Sequence, residues 1–591
     1  MKNIKFKTEQ SIPANSKSKP TIFNDKYDRS GLLRILLFIA GTIIIAKLFY
    51  VQIIRHDYYN TKALAEHVKK YDVSAKRGII YASDGDKTIP VVLNDERFEL
   101  YADPKNIVDA DKTAEQIGSS IGMDKQAIKT LLMQKNRYVV IAKKLPKDQA
   151  QKVADLKIKG IGQRKVYVRT YPQGQLAAQV FGFVNDDQKG QYGIEENKDK
   201  ELAGQIGQMK AVTDIKGVPL ALSNDNIQTQ PRNGDDITLT IDVGMQKMLE
   251  DAIADGVART QSKYGSAIVI DPKNGEVKAM ANYPTYDPSQ YDKVKDGNIF
   301  NNKAVTGAWE PGSVMKPLTM SAAFNEGTLN KNSSYYDSGL VEVDDRKITN
   351  SISWGARTMT MQDIISKSLN TGAVYMLKSL GGGGLNEQSR TTFYKYLTDK
   401  YRFGKPTNIE QSGENIGSVG GPNDGYGLNV RYSNMSFGQG VTITPIQLVA
   451  AYSALVNGGT YYQPSLIKDT KTGIFKPIEV EKNVISPQVS EDVKSLMQGG
   501  LEANNKPAVR AGYRLGAKSG TAQIADNTGN YREDAYNGTY IGYIEGQKLE
   551  YVVMVRLDEP KTSGFASSEA AKTWAQISNK LIDNYNISPK K

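Results

Sequence analysis

The chain has 591 residues, enough for two or more domains, with 39% hydrophobic and 24% charged residues, an ordinary globular balance. Cysteine is absent, which excludes disulfides, thiol catalysis and thiolate metal sites; the two histidines, His56 and His67, lie near the N-terminus, so neither a Ser-His-Asp triad nor a His-ligated zinc can be built in the C-terminal half. The net charge of +12 reads first as a basic, soluble surface and second as affinity for an anionic partner such as a membrane surface; no long Arg/Lys block interleaved with aromatics points to nucleic acid.

Residues 32–54, "LLRILLFIAGTIIIAKLFYVQII", carry a charge-free core from Ile35 to Ala46. With Leu32, Leu33 and Leu48–Ile54 the run reaches the roughly 20 residues a bilayer needs. Arg34 and Lys47 have stems long enough to carry their charges toward an interface, and Tyr50, Tyr58 and Tyr59 suit an aromatic belt. No small-x-small cleavage site follows Ala46, and a buried core helix would not explain the flanks. Before and within the run stand Lys2, Lys5, Lys7, Lys17, Lys19, Lys26, Arg29 and Arg34 against Glu9, Asp25 and Asp28. The reading is a basic, disordered cytoplasmic tail (1–30), a single transmembrane signal anchor (31–54) and export of all that follows, with the N-terminus cytoplasmic.

Residues 55–235 mix short strands and helices, as in a non-catalytic pedestal. "KRGIIYASDG" (76–85) reads as a strand and turn. "DKQAIKTLLMQ" (124–134) and "PKDQAQKVADLK" (146–157) have helical spacing, and "VRTYPQGQLAAQVFGFV" (168–184) reads as a Pro-x-Gly turn followed by a helix. A second domain, 236–591, opens with the strand and helix of "GDDITLTIDVGMQKMLEDAI", the helix placing Met245, Met248, Leu249 and Ile253 on one face. "SAIVIDPKNGEVKAMA" (266–281) is a hairpin signal. Three further strands, "LGAKSGTAQI", "GTYIGYI" and "EYVVMVRL", precede a final helix over 567–585. A hairpin before a helical middle and three strands after it predict an α+β domain with a five-stranded antiparallel sheet flanked by helices. Gly381–Gly384 reads as a flexible linker, and the "GQG" at 438–440 is too weak a pattern for a nucleotide site.

Three segments of the second domain carry chemistry. In "WEPGSVMKP", Pro317 lacks an N–H and is tolerated only in a first helical turn, which places Ser313 and Lys316 on one face at a helix start. Free N–H groups there favour a developing oxyanion. "TMQDIISKSLNTGAVYML" (360–377) opens on a Thr360/Asp363 capping box and carries Ser368 and Asn370 to a helix end beside a cleft. "LGAKSGTAQI" sets Lys518, Ser519, Gly520 and Thr521 on a strand, where Gly520 leaves room for a ligand backbone. Each pattern alone is weak. Their order within one domain, with histidine excluded as base, is specific.

With S-x-x-K, S-x-N and K-S-G-T in this order, the chain resembles a class B penicillin-binding protein, a monofunctional peptidoglycan DD-transpeptidase. "RGIIYASDG", "RTYPQGQLAAQVFGFV", "GQYGIEENKDKELAGQIG", "IVIDPKNGEVKAMANYPTYDP" and "FGQGVTITPIQLVAAYSALVNGG" extend the likeness over nearly everything after residue 30. The resemblance implies a serine acyl-enzyme on Ser313, with Lys316 as base and Ser368 as proton relay. Asn370 holds the substrate amide, and Lys518, Ser519, Gly520 and Thr521 bind the D-Ala-D-Ala carboxylate end. Backbone N–H groups of Ser313 and Thr521 form the oxyanion hole. It implies no cofactor and no metal, and as partners stem peptides, β-lactams, a SEDS-family glycosyltransferase and other divisome membrane proteins. Departures are small: Leu369 stands where Ser is common, and Val314-Met315 where Thr-Phe is common. "WEPGSVMKP", "RLDEPK" (556–561) and the length favour a septal, FtsI-like role, with an elongation-type enzyme as runner-up. A β-lactam sensor or β-lactamase, and a non-catalytic division scaffold, are the other readings.

Overall fold

A computed structural model describes residues 29–59, 68–212, 227–468, 473–525, 531–562 and 566–590. The tail expected over residues 1–30 lies, up to residue 28, outside the described residues. The chain divides into two units, one formed by residues 1–72 with 208–229, the other by 73–207 with 230–591.

In the first unit the helix Arg29–Phe49 runs into a π-helical turn, Tyr50–Ile54. Gly31–Ile54 is long and apolar enough to cross a membrane, and Leu37, Phe38 and Ile45 are exposed along it. A helix satisfies its own backbone groups, which lipid cannot do. The same unit contains a three-stranded sheet ordered Val68–Val73, Gly207–Val212, Ile227–Thr229.

The second unit begins with a twisted sheet. Ile80–Asp84 turns at Gly85 into the sixteen-residue strand Lys87–Ala102, which is long enough to pair with both Val139–Leu145 and Ile161–Thr170. Helices Ala110–Ile121, Lys125–Leu132 and Lys147–Asp155 bury Ile117, Ile128 and Val153 against Leu100 of that strand. The first two start where Asp109 and Asp124 accept backbone N–H bonds as N-caps. The helix expected after the Pro-x-Gly turn is only Ala178–Phe181, because Gly182, at φ +78°, ends it.

The three family-like stretches of this region meet at one buried carboxylate. Glu195, fully buried, accepts bonds from Arg77 Nε at 2.6 Å and Arg169 Nε at 2.7 Å. Arg77 also reaches Asp199, at 2.7 Å, and Arg169 donates to Asn94 Oδ1 at 2.9 Å.

The strand expected to open the second domain, Ile237–Asp242, instead completes this first sheet, parallel to Ile80–Asp84. Further ties join the two parts of the unit. Gln179 Nε2 donates to the carbonyls of Pro284 and Ile299, the Tyr286 hydroxyl to Ala178 O, and Gln411 Nε2 to Val180 O. Phe183 stacks on Tyr291 with ring centroids 4.4 Å apart.

Asp242 caps helix α1 (Val243–Thr260), which buries Met245, Leu249 and Ile253 and leaves Met248 half-buried. Strands β1 (Tyr264–Asp271) and β2 (Glu276–Tyr283) form the expected hairpin. Strands β3 (Arg514–Ala525), β4 (Tyr531–Glu545) and β5 (Leu549–Asp558) complete an antiparallel sheet of order β2-β1-β5-β4-β3. Period-two alternation explains why both faces are buried. Ala267 and Val269 of β1, with Val553, Val555 and Leu557 of β5, pack on α1 and on the C-terminal helix Ala566–Asn584, whose Trp574 Nε1 donates to Val553 O. Ile268, Ile270, Val552 and Met554 face the helical middle. There Pro445–Val456 is buried along its whole length, started by a Thr444/Gln447 capping box with Pro445 in its first turn. The glycines 381–384 form a hydrogen-bonded turn and not a flexible linker: Gly381 N–H donates to Lys378 O, and Asn386 Nδ2 to Gly381 O.

Candidate active site

The turn that carries Ser313 is built from glycine and braced by backbone. Gly312, at φ +63°, starts the 3-10 turn Gly312–Met315, and helix α2 (Lys316–Asn325) follows with Pro317 in its first turn. Residues three apart eclipse one another in a 3-10 turn, so Ser313 and Lys316 face the same way. The Gly312 N–H donates to Gly438 O at 2.9 Å, Trp309 and Ile443 exchange backbone bonds, and the Tyr452 hydroxyl donates to Val314 O at 2.6 Å. The 438–440 glycines therefore serve this turn. A Cβ on Gly438 would stand 2.0 Å from Gly312 O.

Ser368 sits in the break between helix α3 (Met361–Ser366) and helix α4 (Asn370–Ser379), and Asn370 opens α4. Ser368 makes that break by adopting φ +56°, a left-handed conformation that costs a non-glycine residue roughly 1–2 kcal/mol. The twist turns both its carbonyl and its hydroxyl toward Lys316: Nζ lies 2.6 Å from Ser368 O and 3.2 Å from Ser368 Oγ. It also lies 2.8 Å from Ser313 Oγ and 2.9 Å from Asn370 Oδ1. The Asn370 amide is oriented by its Nδ2, which donates to Thr349 O at 3.0 Å.

Strand β3 closes the other side. Lys518 Nζ donates to Ser368 Oγ at 3.0 Å, to Ser519 O at 2.9 Å and to Ser519 Oγ at 3.2 Å. The place a side chain on Gly520 would occupy is taken by Pro311 O, at 2.8 Å, and Val314. That glycine thus admits the protein's own Pro311–Val314 loop, where the sequence suggested space for a ligand backbone. Thr521 Oγ1 lies 3.0 Å from Ser567 Oγ, a residue sequence reasoning missed because nothing marks it at the head of the last helix. Glu310, three residues before Ser313, accepts bonds from Gly440 N–H and the Tyr531 hydroxyl; burial raises its pKa.

The electrostatics follow from burial. Lys316 and Lys518 are 0% and 3% exposed. Burial, reinforced by the charge of Lys518, holds the Lys316 ammonium well below its usual range, and burial alone brings Lys518 down to about 7. Lys316 Nζ has four oxygen neighbours, two of them carbonyls that can only accept. An amine that donates to Ser368 O and Asn370 Oδ1 has its third position directed at Ser313 Oγ.

A sheet packed on helices at both faces, with a serine–lysine turn against its edge strand, is the fold of a penicillin-recognising transpeptidase. The family described as Penicillin binding protein transpeptidase domain matches residues 265–582, and the Penicillin-binding Protein dimerisation domain matches residues 72–239. The chain belongs to the class B penicillin-binding proteins, which are peptidoglycan D,D-transpeptidases. It is 30% identical over 578 residues to Stage V sporulation protein D of Bacillus subtilis, covering 95% of this chain and 87% of that protein. Peptidoglycan D,D-transpeptidase FtsI of Escherichia coli is 25% identical over 582 residues, covering 95% and 92%. In fold the chain resembles Penicillin Binding Protein 2X from Streptococcus thermophilus, with a TM-score of 0.71 and 24% identity over 88% of this chain and 80% of that one. The apolar N-terminal helix gives this architecture a single-pass membrane anchor.

Proposed function

We propose that the reaction runs through a serine acyl-enzyme. Ser313 attacks the carbonyl between the two terminal D-alanines of a stem peptide, and neutral Lys316 takes its proton. Ser368, between the two lysines, returns a proton to the departing D-alanine. Asn370 holds the substrate amide, Lys518 attracts the terminal carboxylate, and the 519–521 edge with the Thr521 hydroxyl completes the pocket. The N–H groups of Ser313 and Thr521 stabilise the oxyanion. An amine from a second stem peptide then takes the acyl group, and a β-lactam stops the cycle by acylating Ser313. The observation that carries this reading is the buried Lys316 amine, held 2.8 Å from Ser313 Oγ. Mass spectrometry after penicillin treatment tests it: one adduct on the Ser313 peptide is expected, and none in Ser313→Ala. Adduct release within seconds would instead favour a β-lactamase.

By the positive-inside rule the basic tail is cytoplasmic and the catalytic part extracytoplasmic. The septal assignment rests on "WEPGSVMKP" and "RLDEPK", and a SEDS-family glycosyltransferase is its partner by family likeness. Depletion with imaging separates the two roles: filamentation supports septal work, and rounding supports elongation.

A further inference from the structure

Helix α4 begins at Asn370, yet the residue at its N-cap is Leu369, which has no side chain able to accept a hydrogen bond. The first N–H groups of a helix need acceptors from elsewhere. Here they come from an excursion of the chain between α2 and α3, where the strand Ser334–Asp337 pairs with Arg357–Thr360, and Leu340–Val343 with Arg346–Thr349. Asn350, directly after this last strand, accepts the N–H of Asn370 at 2.7 Å and that of Thr371 at 3.1 Å on its Oδ1. The residue before it, Thr349, accepts the Asn370 side-chain amide on its carbonyl.

Asn350 is itself held. Its Nδ2 donates to Asp337 Oδ2 at 3.0 Å, which fixes the amide with its oxygen toward the helix. Asp337, 2% exposed, also accepts the Thr371 hydroxyl at 2.9 Å and the Tyr335 hydroxyl at 3.3 Å on Oδ2, and the Gly339 N–H at 2.9 Å on Oδ1. Tyr335 stacks on Tyr375 of α4, with centroids 4.8 Å apart. The Asn370 carbonyl oxygen that meets Lys316 is thus located twice from outside its own helix, through its backbone N–H and through its amide nitrogen.

We infer that Asn350, anchored by Asp337, is a positioning residue for acylation: it caps α4 from across the domain and so sets Asn370 Oδ1 against the Lys316 amine. This rests on the serine-acylation reading above. A cap that shifts lets Asn370 rotate, and Lys316 loses one of the two carbonyls that aim its lone pair at Ser313.

The test uses full-length protein in detergent and a fluorescent penicillin, separating the acylation rate constant from the dissociation constant of the initial complex. Asn350→Ala is expected to lower the rate constant tenfold or more, with the dissociation constant changed less than threefold. The exchange variant Asn350→Asp/Asp337→Asn returns an acceptor to the helix N–H groups and a donor between the two side chains, and is expected to recover most of the rate. Melting temperatures are read in parallel. An Asn350→Ala rate within twofold of the parent overturns the inference, as does a loss that the exchange variant fails to recover. A parent protein that takes up no penicillin overturns both the acylation reading and this one; a parent that acylates normally isolates any failure to the Asn350 assignment.

Discussion

Lys316 and Lys518 share one hydroxyl: Ser368 Oγ lies 3.2 Å from the first amine and 3.0 Å from the second. Two cations brought this close in a buried site cannot both stay fully charged at no cost, and the hydroxyl between them is a ready proton conduit. The pairing separates the duties of two chemically identical side chains. On the proposed reading Lys316, held well below its usual range by burial and by the charge of Lys518, is the base, and Lys518, brought down to about 7 by burial, carries the charge for the substrate.

A pH profile follows. At low pH Lys316 is protonated and cannot accept the Ser313 proton, so the second-order acylation constant rises as pH climbs through the Lys316 pKa. As pH passes about 7, Lys518 loses its proton and with it the attraction for the substrate carboxylate, so the constant falls again. The benzylpenicillin acylation constant should therefore be bell-shaped against pH. Lys518→Arg keeps its charge at all accessible pH and should lack the alkaline limb, at a lower maximum. An alkaline limb that persists in the Arg variant would sink the assignment.

The left-handed backbone of Ser368 allows strain and chemistry to be separated. Ser368→Gly removes the hydroxyl and relieves φ +56°; Ser368→Ala removes the hydroxyl and keeps the strain. Both should acylate about 100-fold or more slowly than the parent. The Gly variant should be the more stable by about 1 kcal/mol, read by denaturant unfolding.

Gly438→Ala tests the brace behind the Ser313 turn. Its methyl would meet Gly312 O at 2.0 Å, with φ at +87° besides, so the Ser313 turn must move. Acylation should be lost and the melting temperature lowered. Gly440→Ala carries a similar φ, +71°, but its nearest neighbour stands 3.8 Å away. It should cost only about 1 kcal/mol and keep acylating.

Glu195→Gln leaves Arg169 buried without its carboxylate and Arg77 with Asp199 alone. Breaking a buried ionic cluster of this kind costs about 3–5 kcal/mol. Thermal unfolding should show a clearly lowered midpoint, and penicillin uptake at low temperature should persist, since no group that touches Ser313 is changed.

Residue chemistry was legible in the sequence where it was local. Pro317 located the helix start beside Ser313, the apolar runs on either side of Pro-Lys-Asn-Gly marked the hairpin, and the absence of nearby histidine left lysine as the candidate base. What escaped depended on partners distant along the chain. The handedness of Ser368 is imposed by two helices meeting, and no residue preference announces it. Gly438 reads as an ordinary loop glycine until Gly312, more than a hundred positions earlier, is packed against it. Ile237–Asp242 has the same apolar pattern whichever sheet it joins; pairing with Ile80–Asp84 was decided by tertiary fit. Gly520 showed that space was needed beside β3, and its neighbours showed that Pro311 fills it.

That strand pairing bears on how such proteins can be recombined. A chimaera joined at residue 235 would take the pedestal from one parent and its parallel edge strand from another, exchanging the Ile237–Ile80 seam for an unmatched one. It would also part Arg77, Arg169 and Glu195 from a sheet edge their own lineage completed. A junction placed after Asp242, ahead of the helix that Asp242 caps, would move the edge strand with its sheet and give the swapped part a native seam.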